Sequence, residues 1–227
     1  MLLVDYDRKL LSKFYPLTKK HLLNYDSTII KNSALRYSIC GTNEIKDRLI
    51  KMKNIDLTDA LKNINNFDII SLSAMLDILS KKFIKKLFDQ ISSDKVIYLS
   101  LCFDGKISWK RATIYDKYIT SKFNNHQLSK KSLGDSLGSL GIKTIKNLAL
   151  KKGFEIKISD SSWNIDARDQ DHKNFQIMYL KTIYKALNKD SFTDNNILKE
   201  WYEQRLININ IGKENIKVGH QDILILT

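Results

Sequence analysis

The sequence predicts an α/β fold in which a mainly parallel sheet carries helices on both faces. Apolar runs of strand length recur along the chain, and the clearest extends from Lys95 to Phe103. Stretches with apolar residues at helical spacing lie between these runs. The chain has 227 residues, of which 43% are hydrophobic, and this is enough to bury one core. We therefore expect a single domain over residues 1–227.

The first part of the chain alternates between strand and helix signals. Met1 to Asp5 is apolar and ends in a carboxylate, which is typical of a buried parallel strand that ends at a ligand crevice. The predicted elements are a strand ending at Asp5, a helix from Asp7, its N-cap, to Tyr15 that Pro16 ends, a loop with a short helix over residues 26–45, a strand over residues 48–53 and a helix that Thr58 caps and that runs to Ile64.

The rest of the chain shows the same alternation around one long irregular segment. Residues 105–141 contain four of the eight glycines and little periodicity, so they predict a lid or insertion of the kind that often carries function. The other predicted strands cover residues 67–73, 95–103, 154–158 and 218–226. The other predicted helices are one that Ser80 caps and that runs to Ile91, and those over residues 142–152, 174–187 and 194–209.

Cysteine content and hydropathy limit the cellular environments in which the chain is expected. No apolar run approaches the ~18 residues that a membrane helix needs, and Asp5 and Asp7 interrupt any signal peptide. We therefore expect a cytoplasmic protein without a membrane segment. Cys40 and Cys102 do not form a C-x-x-C pair, so the sequence predicts no disulfide framework and no metal site, with Cys102 reduced and buried in a strand.

The net charge of +13 raises the question of nucleic-acid binding. The lysines are spread from Lys9 to Lys217 without one dominant cluster along the sequence. The two densest groups, residues 81–86 and 130–131, are typical of solvated helix or loop faces. Charge alone attracts any polyanion, so nucleic acid is an alternative partner rather than the favoured one.

Five segments in order resemble the class I S-adenosylmethionine-dependent methyltransferases, and the resemblance runs nearly end to end. The first segment, Val4-Asp5-Tyr6-Asp7, is similar to the acidic second strand V-D-H-D of a bacterial branch and precedes a leucine-rich helix. The specificity of the resemblance comes from the order and spacing of the segments together. The matching segments are Val4–Leu11, Phe67–Leu79, Tyr98–Trp109, Phe123–Gln127 and Val218–Asp222.

The resemblance implies a Rossmann-like methyltransferase sheet with a C-terminal antiparallel strand and S-adenosylmethionine as cofactor. Asp5 would bind the ribose hydroxyls of the cofactor, a role that its place at a strand end also indicates. Asp56 and Leu57 would flank the adenine ring. The end of the next strand, with Ser71, Ser73 and Ala74, would line the methyl-transfer crevice.

One element of the family is not in the sequence. The Gly-rich turn E/D-x-G-x-G-x-G should follow the first strand, whereas Gly134, Gly138 and Gly141 do not have that spacing or context. We therefore expect the first strand and its turn to lie outside this chain, as in an N-terminally truncated or split gene.

The resemblance assigns fewer residues to the methyl acceptor than to the cofactor. His126 is the preferred general base or acceptor contact, and a surface histidine bonded to the loop is the alternative. Asp77 would contact the acceptor or cap a helix. Trp109 and Phe123 would wall an acceptor pocket together with Gln127, unless these aromatic side chains are core.

The sequence favours a small-molecule acceptor. Enzymes that methylate nucleobases carry a proline-containing motif after the fourth strand, and Ser71-Leu72-Ser73-Ala74 stands in that place here. His220 lies inside the last strand, where a structural histidine is expected. The alternative function is a noncatalytic basic α/β module that binds nucleic acid or a partner protein. The sequence makes no prediction of oligomeric state.

Overall fold

The structure is a computed structural model that describes residues 1–25, 27–41, 48–131 and 134–227. It divides into two units, residues 1–66 and 67–227, and each unit has its own sheet. The single domain expected from the sequence remains a prediction. Within the described residues, no helix combines the length and the apolar character that a membrane crossing requires.

Unit 1–66 is a four-stranded sheet with one long helix. The strands lie in the order β1-β4-β3-β2, in which β1 and β4 are parallel and the other pairs are antiparallel. Its elements are β1 (Leu2–Asp5), α1 (Arg8–Leu22), β2 (Ser27–Ser33), β3 (Arg36–Gly41), β4 (Arg48–Asn54) and α2 (Leu57–Ala60), followed by a 3-10 stretch (Leu61–Asn66).

Helix α1 continues through Pro16 to Leu22, so the prediction that Pro16 ends it was wrong. A proline inside a helix costs roughly 3 kcal/mol relative to alanine. Here the helix packs two aromatic rings on the sheet, because Phe14 and Tyr15 each lie 5.6 Å from the Tyr37 ring of β3. Burial of this face offsets the cost of the proline.

The hairpin β2–β3 replaces the loop with a short helix that was predicted for residues 26–45. Ile29 in β2 and Tyr37 in β3 are buried, whereas Ile30 on the opposite face of the hairpin is 50% exposed. Because apolar side chains occur on both faces of the hairpin, its sequence shows little alternation. Residues 26 and 42–45 of that prediction lie outside the described residues.

Unit 67–227 contains a five-stranded sheet and the remaining long helices. Its elements are β5 (Ile69–Ser73), α3 (Lys81–Gln90), β6 (Val96–Trp109), α4 (Asp116–Gln127), β7 (Lys130–Lys131), β8 (Gly134–Asp135), a 3-10 turn (Gly138–Leu140), α5 (Gly141–Lys151), β9 (Glu155–Asp160), β10 (Trp163–Asp166), α6 (Gln170–Leu187), α7 (Asn195–Asn210) and β11 (Asn215–Leu226).

The pairing of this sheet confirms the α/β class and the C-terminal antiparallel strand. The order is β10-β11-β6-β5, and β9 also pairs with β11. Because β5 is parallel to β6 while β11 is antiparallel to both β6 and β9, the strands β5, β6 and β9 all run in one direction. The final strand, β11, is therefore antiparallel to each of these neighbours.

Much of the predicted lid over residues 105–141 is regular structure. Strand β6 continues to Trp109, beyond the predicted end at Phe103. Helix α4 buries Ile119 and Phe123 in the core of this unit. Residues 132 and 133 lie outside the described residues. Closure of this segment over a ligand stays a prediction.

A buried charge network crosses the core of unit 67–227. Arg205 and Glu214 are fully buried, and Arg205 Nη1 lies 2.7 Å from Glu214 Oε2. Arg205 Nη2 also pairs with Asp116, and the guanidinium lies 4.7 Å from the Trp109 ring centre. Paired in this way, a buried arginine holds α4, α7 and the start of β11 together.

Candidate functional site

Asn54 fastens the carboxyl end of β1 to β4. It is the register partner of Asp5, and its Nδ2 donates to the carbonyl oxygens of Asp5 at 3.0 Å and Tyr6 at 2.5 Å. Arg8 Nε donates in turn to Asn54 Oδ1 at 2.8 Å. Asn54 was not predicted from the sequence, in which its only signal was its place at the end of a strand.

The Asp5 side chain is held at the same strand end. Its Oδ1 accepts the backbone N–H of Asp7 at 2.7 Å, and the residue is half-buried. A carboxylate has about four lone-pair sites on two oxygens, so one such bond fixes its direction without using its full accepting capacity. The residue therefore fits the predicted contact with two vicinal hydroxyls.

Asp56 follows β4 and begins α2. Its Oδ1 accepts from the backbone N–H of Thr58 at 2.7 Å and from the Thr58 hydroxyl at 2.6 Å, so Asp56 rather than Thr58 is the N-cap. Asp56 and Leu57 are both half-buried. Asp5 is the last residue of β1, and Asp56 comes two residues after the end of β4. Because β1 and β4 are parallel neighbours, both residues lie at the same edge of their sheet. Their contact with adenosine stays a prediction.

In unit 67–227 the corresponding strand end is that of β5. Ser71 and Ser73 are exposed, and β5 pairs in the described part of the chain with β6 alone. Ala74 has a φ of +50°, and its N–H donates to the Ser100 carbonyl at 2.9 Å. A non-glycine residue in this region is strained, and such strain clusters at functional sites. The predicted lining residues thus lie where the chain turns sharply out of the sheet.

Asp77 lies just beyond this turn. The residue is half-buried, and its backbone carbonyl accepts the N–H of Gly138 at 2.8 Å. Burial, together with the nearby charges of Asp222 and Asp77, raises the pKa of Cys102 to about 12. Asp77 is therefore close enough to the strand end to act on groups there, while its role toward an acceptor stays a prediction.

His220 is surrounded by carboxylates but buried. Its ring centre lies 4.2 Å from that of Trp163, and its Nδ1 lies 3.1 Å from the Val218 carbonyl oxygen. Burial lowers the pKa of His220, and the nearby charges of Asp104, Asp77 and Asp222 oppose that shift. These contacts confirm the structural histidine expected from the sequence.

Asp222 is fixed by two donors from β6. Its Oδ2 accepts the Tyr98 hydroxyl at 2.5 Å, and its Oδ1 accepts the backbone N–H of Leu101 at 2.8 Å. Burial acts to raise the pKa of Asp222, but these hydrogen bonds hold it below its ordinary value. Leu101 has a φ of +54°, so a second strained residue faces this carboxylate.

A polar cleft of 840 Å³, which we name the β6–α4 cleft, lies between these two elements and the start of β11. Its walls carry three lysines, three aspartates, and neutral hydroxyl and amide groups. The Asn124 Oδ1 at this cleft is buried and has no hydrogen-bond partner among the described residues, while its Nδ2 donates to the Gly105 carbonyl at 2.9 Å. An unsatisfied amide oxygen beside a cleft is free to accept from a bound ligand.

His126 lies in a second cleft, which we name the His126 cleft. It measures 510 Å³ and is lined by Lys122, Asn125, His126, Ser129, Asp190 and Phe192. Lys122 Nζ donates to the Phe192 carbonyl at 2.5 Å. Hydrogen bonds from the Thr193 hydroxyl and the Phe192 N–H lower the pKa of Asp190. His126 thus faces a cleft with an ionised carboxylate.

The other predicted acceptor residues are placed differently. Trp109 and Phe123 are 6% exposed and belong to the hydrophobic core, and neither lines the two clefts described above. Gln127 is half-buried, and its Oε1 has no hydrogen-bond partner among the described residues. The acceptor role of these three residues stays a prediction.

In the described ranges, no three His, Cys, Asp or Glu side chains converge in a way that could hold a metal ion.

No protein-family model and no curated protein matches the chain. Three solved methyltransferase structures are similar in outline. They are phospholethanolamine N-methyltransferase 2 from Haemonchus contortus, with phosphomonomethylethanolamine and S-adenosylhomocysteine, a sarcosine dimethylglycine methyltransferase from Galdieria sulphuraria, and a methyltransferase from Thiobacillus denitrificans with S-adenosyl-L-homocysteine.

These three likenesses are distant. Sequence identities are 11%, 12% and 10%, and TM-scores are 0.30, 0.37 and 0.29 respectively. The matches cover 72%, 99% and 78% of this chain and 34%, 68% and 64% of the other chains. The chain thus spans about a third of the length of the Haemonchus contortus enzyme.

Proposed function

We propose that this chain transfers a methyl group from S-adenosylmethionine to a small-molecule acceptor. The observation that carries the proposal is that Asp5 and Asp56 lie at the same edge of the sheet, where the parallel strands β1 and β4 end. Ligands of open α/β sheets bind outside the carboxyl ends of such strands, and a carboxylate there takes ribose hydroxyls.

In this proposal each strand end has one task. Asp5 accepts from the ribose hydroxyls, with its direction set by the Asp7 N–H. Asp56 and Leu57 flank the adenine ring. Ser71, Ser73 and Ala74 line the crevice in which the methyl group moves.

The cofactor would supply an activated methyl group on a sulfonium, so the protein needs little covalent chemistry. Its residues contribute by positioning the acceptor in line with that group. The β6–α4 cleft is lined by hydroxyls and amides, including Thr120 and Asn124, which suits a small polar acceptor. An acceptor that arrives protonated also needs a general base, and His126 and Asp77 are the candidates. His126 lines the His126 cleft, which shares Asn125 with the β6–α4 cleft, and Asp77 lines neither cleft.

We also propose that a strand outside this chain pairs with the open edge of β5. In the described part of the chain β5 pairs only with β6, and Ile69 of β5 is 65% exposed. An exposed edge with an apolar side chain is a template for another strand. A Gly-rich turn at the end of such a strand would come close to Ala74.

Binding of S-adenosylhomocysteine, measured by titration calorimetry, tests the proposal. It should be measured for the chain and for the product of its natural reading frame extended upstream. We expect binding at micromolar Kd in at least one form. Asp5→Ala should weaken binding roughly 10- to 100-fold, because hydrogen bonds to a charged group contribute ~1.5–3 kcal/mol.

The matched control is Asp59→Ala, which removes an exposed carboxylate of α2 that pairs with Lys62. It should leave the Kd unchanged. The proposal is wrong if neither form binds S-adenosylhomocysteine. It is also wrong if Asp5→Ala and Asp59→Ala bind alike, because the ribose contact would then not exist.

A further inference from the structure

Two helices of unit 67–227 present lysines on their outer sides. Helices α3 and α5 pack against each other, although they are about 50 residues apart in sequence. Each buries its apolar side, and all the lysines of both helices, together with the residue after α5, are exposed. We name this set the α3–α5 lysine face: Lys81, Lys82, Lys85, Lys86, Lys143, Lys146, Lys151 and Lys152.

The fold leaves this charge almost uncompensated. Asp89 is the only acidic residue of the two helices, and it pairs with Lys152 at 2.6 Å. The other seven lysines make no ion pair with a described residue. Lys81 and Lys85, like Lys82 and Lys86, are four residues apart and repel each other on one side of α3. A face of this kind is stabilised by an external anion.

We propose that the α3–α5 lysine face binds the phosphate backbone of a nucleic-acid duplex. Helices of 10 and 11 residues are about 15 Å long, and duplex DNA presents one charge per ~1.7 Å of its axis. Several phosphates therefore come within reach of the face at once. Lysine ammonium groups bind phosphates as point charges and do not require one orientation.

The composition of the face selects a duplex over a single strand. The aromatic residues of the two helices, Phe83 and Phe88, are only 5% and 3% exposed, so no ring is available for bases to stack on. The face contains no arginine, the residue that reads guanine through paired hydrogen bonds. Binding is therefore independent of sequence and strongly dependent on salt.

The composition also disfavours a membrane surface. Helices that lie on a bilayer insert large apolar side chains beside their basic residues. Leu150 is the one large hydrophobic residue of α3 and α5 that is exposed, at 55%. This inference is independent of the proposed methyl transfer, because neither helix contains a residue assigned to the cofactor or the acceptor.

Fluorescence anisotropy with a labelled 24-base-pair DNA duplex, and with the RNA duplex of the same sequence, tests the proposal. We expect binding of both at low salt, with a log Kd that rises linearly with log salt concentration. The variant Lys81→Gln/Lys85→Gln/Lys143→Gln/Lys146→Gln should weaken binding at least ~30-fold at 50 mM salt. It should also lower the salt slope by about 3.6, because each of the four lost phosphate contacts contributes ~0.9.

The matched control removes the same charge from another part of the surface. Lys181, Lys185, Lys189 and Lys213 are exposed. The first two lie on α6, which packs on α4, α7 and β10, while Lys189 follows α6 and Lys213 lies between α7 and β11. Changing these four to Gln should leave the slope unchanged. The proposal is overturned if both variants lose affinity equally, if the wild-type chain binds neither duplex, or if it binds only vesicles containing phosphatidylglycerol. Circular dichroism checks that both variants are folded.

Discussion

The Asp104 carboxylate of β6 fills the space that a side chain at Gly219 of β11 would need. A Cβ at position 219 would lie 2.0 Å from Asp104 Oδ1 and 2.7 Å from its Cγ. The pairing of the two strands shifts register between Val218 and His220, which places the glycine in an irregular step of the ladder. Asp104 is held there by the backbone N–H of Lys106 at 2.9 Å and lines the β6–α4 cleft. Gly219 therefore makes room for a carboxylate at the cleft.

Gly219→Ala should destabilise the protein by about 1–3 kcal/mol, because an added methyl group in a packed site forces its neighbours to move. Here the Asp104 carboxylate must leave its bond with Lys106. Urea denaturation measures the loss. In an Asp104→Ala background the same substitution should cost much less, and equal costs in both backgrounds would contradict the explanation.

Arg205→Met should destabilise the protein by about 3–5 kcal/mol, because it leaves two carboxylates, Glu214 and Asp116, without their buried partner. Denaturant unfolding followed by tryptophan fluorescence suits this test, since Trp109 and Trp201 lie beside the network. Lys199→Met removes an exposed pair with Glu203 and should leave the unfolding midpoint unchanged. A similar midpoint for both variants would contradict the role of the network.

Cys102 should react slowly with thiol reagents in the folded protein. Burial raises the pKa of its thiol to about 12, so the reactive thiolate is scarce at pH 8. In a Cys40→Ser variant, which leaves one thiol, reaction with Ellman's reagent should be on the order of 100-fold slower than in urea. Equal rates in the folded and unfolded protein would show that Cys102 is accessible.

His220 should make the protein less stable in mild acid. Burial places the pKa of the folded histidine below its ordinary value of 6.5, so the unfolded chain binds the proton more readily. The stability that this histidine contributes is complete above pH 6.5 and is lost as pH falls toward its folded pKa. Thermal melts at pH 7.5 and 5.0 should differ less for His220→Gln than for the wild type. The exposed control His21→Asn should keep the wild-type difference.

Local signals in the sequence were sufficient for many elements. Asp7 and Ser80 cap α1 and α3, as predicted, because a side-chain oxygen next to a helical pattern satisfies a backbone N–H within its own turn. The apolar run of β6 and the final strand were found because each is buried on most of its length. Cys102 is buried in a strand, as predicted.

Elements that depend on distant partners were missed. The hairpin β2–β3 has apolar residues on both faces, and the packing of Tyr37 against α1 determines which face is buried. Helix α1 passes Pro16 for the same reason. The lysines of α3 and α5 are separate groups in the sequence, and their combination into one face requires the two helices to be neighbours.

The sequence by itself determined the α/β class, most strands and helices, and the acidic end of β1, because burial periodicity, caps and charge are properties of short segments. Only the tertiary structure decided which strand ends share an edge, which side chains line the two clefts, and that Trp109 and Phe123 lie in the core. The physical reason is that a cleft, a core and a charged face are made by residues far apart in the chain. Their proximity depends on strand pairing and helix packing, which no single segment encodes.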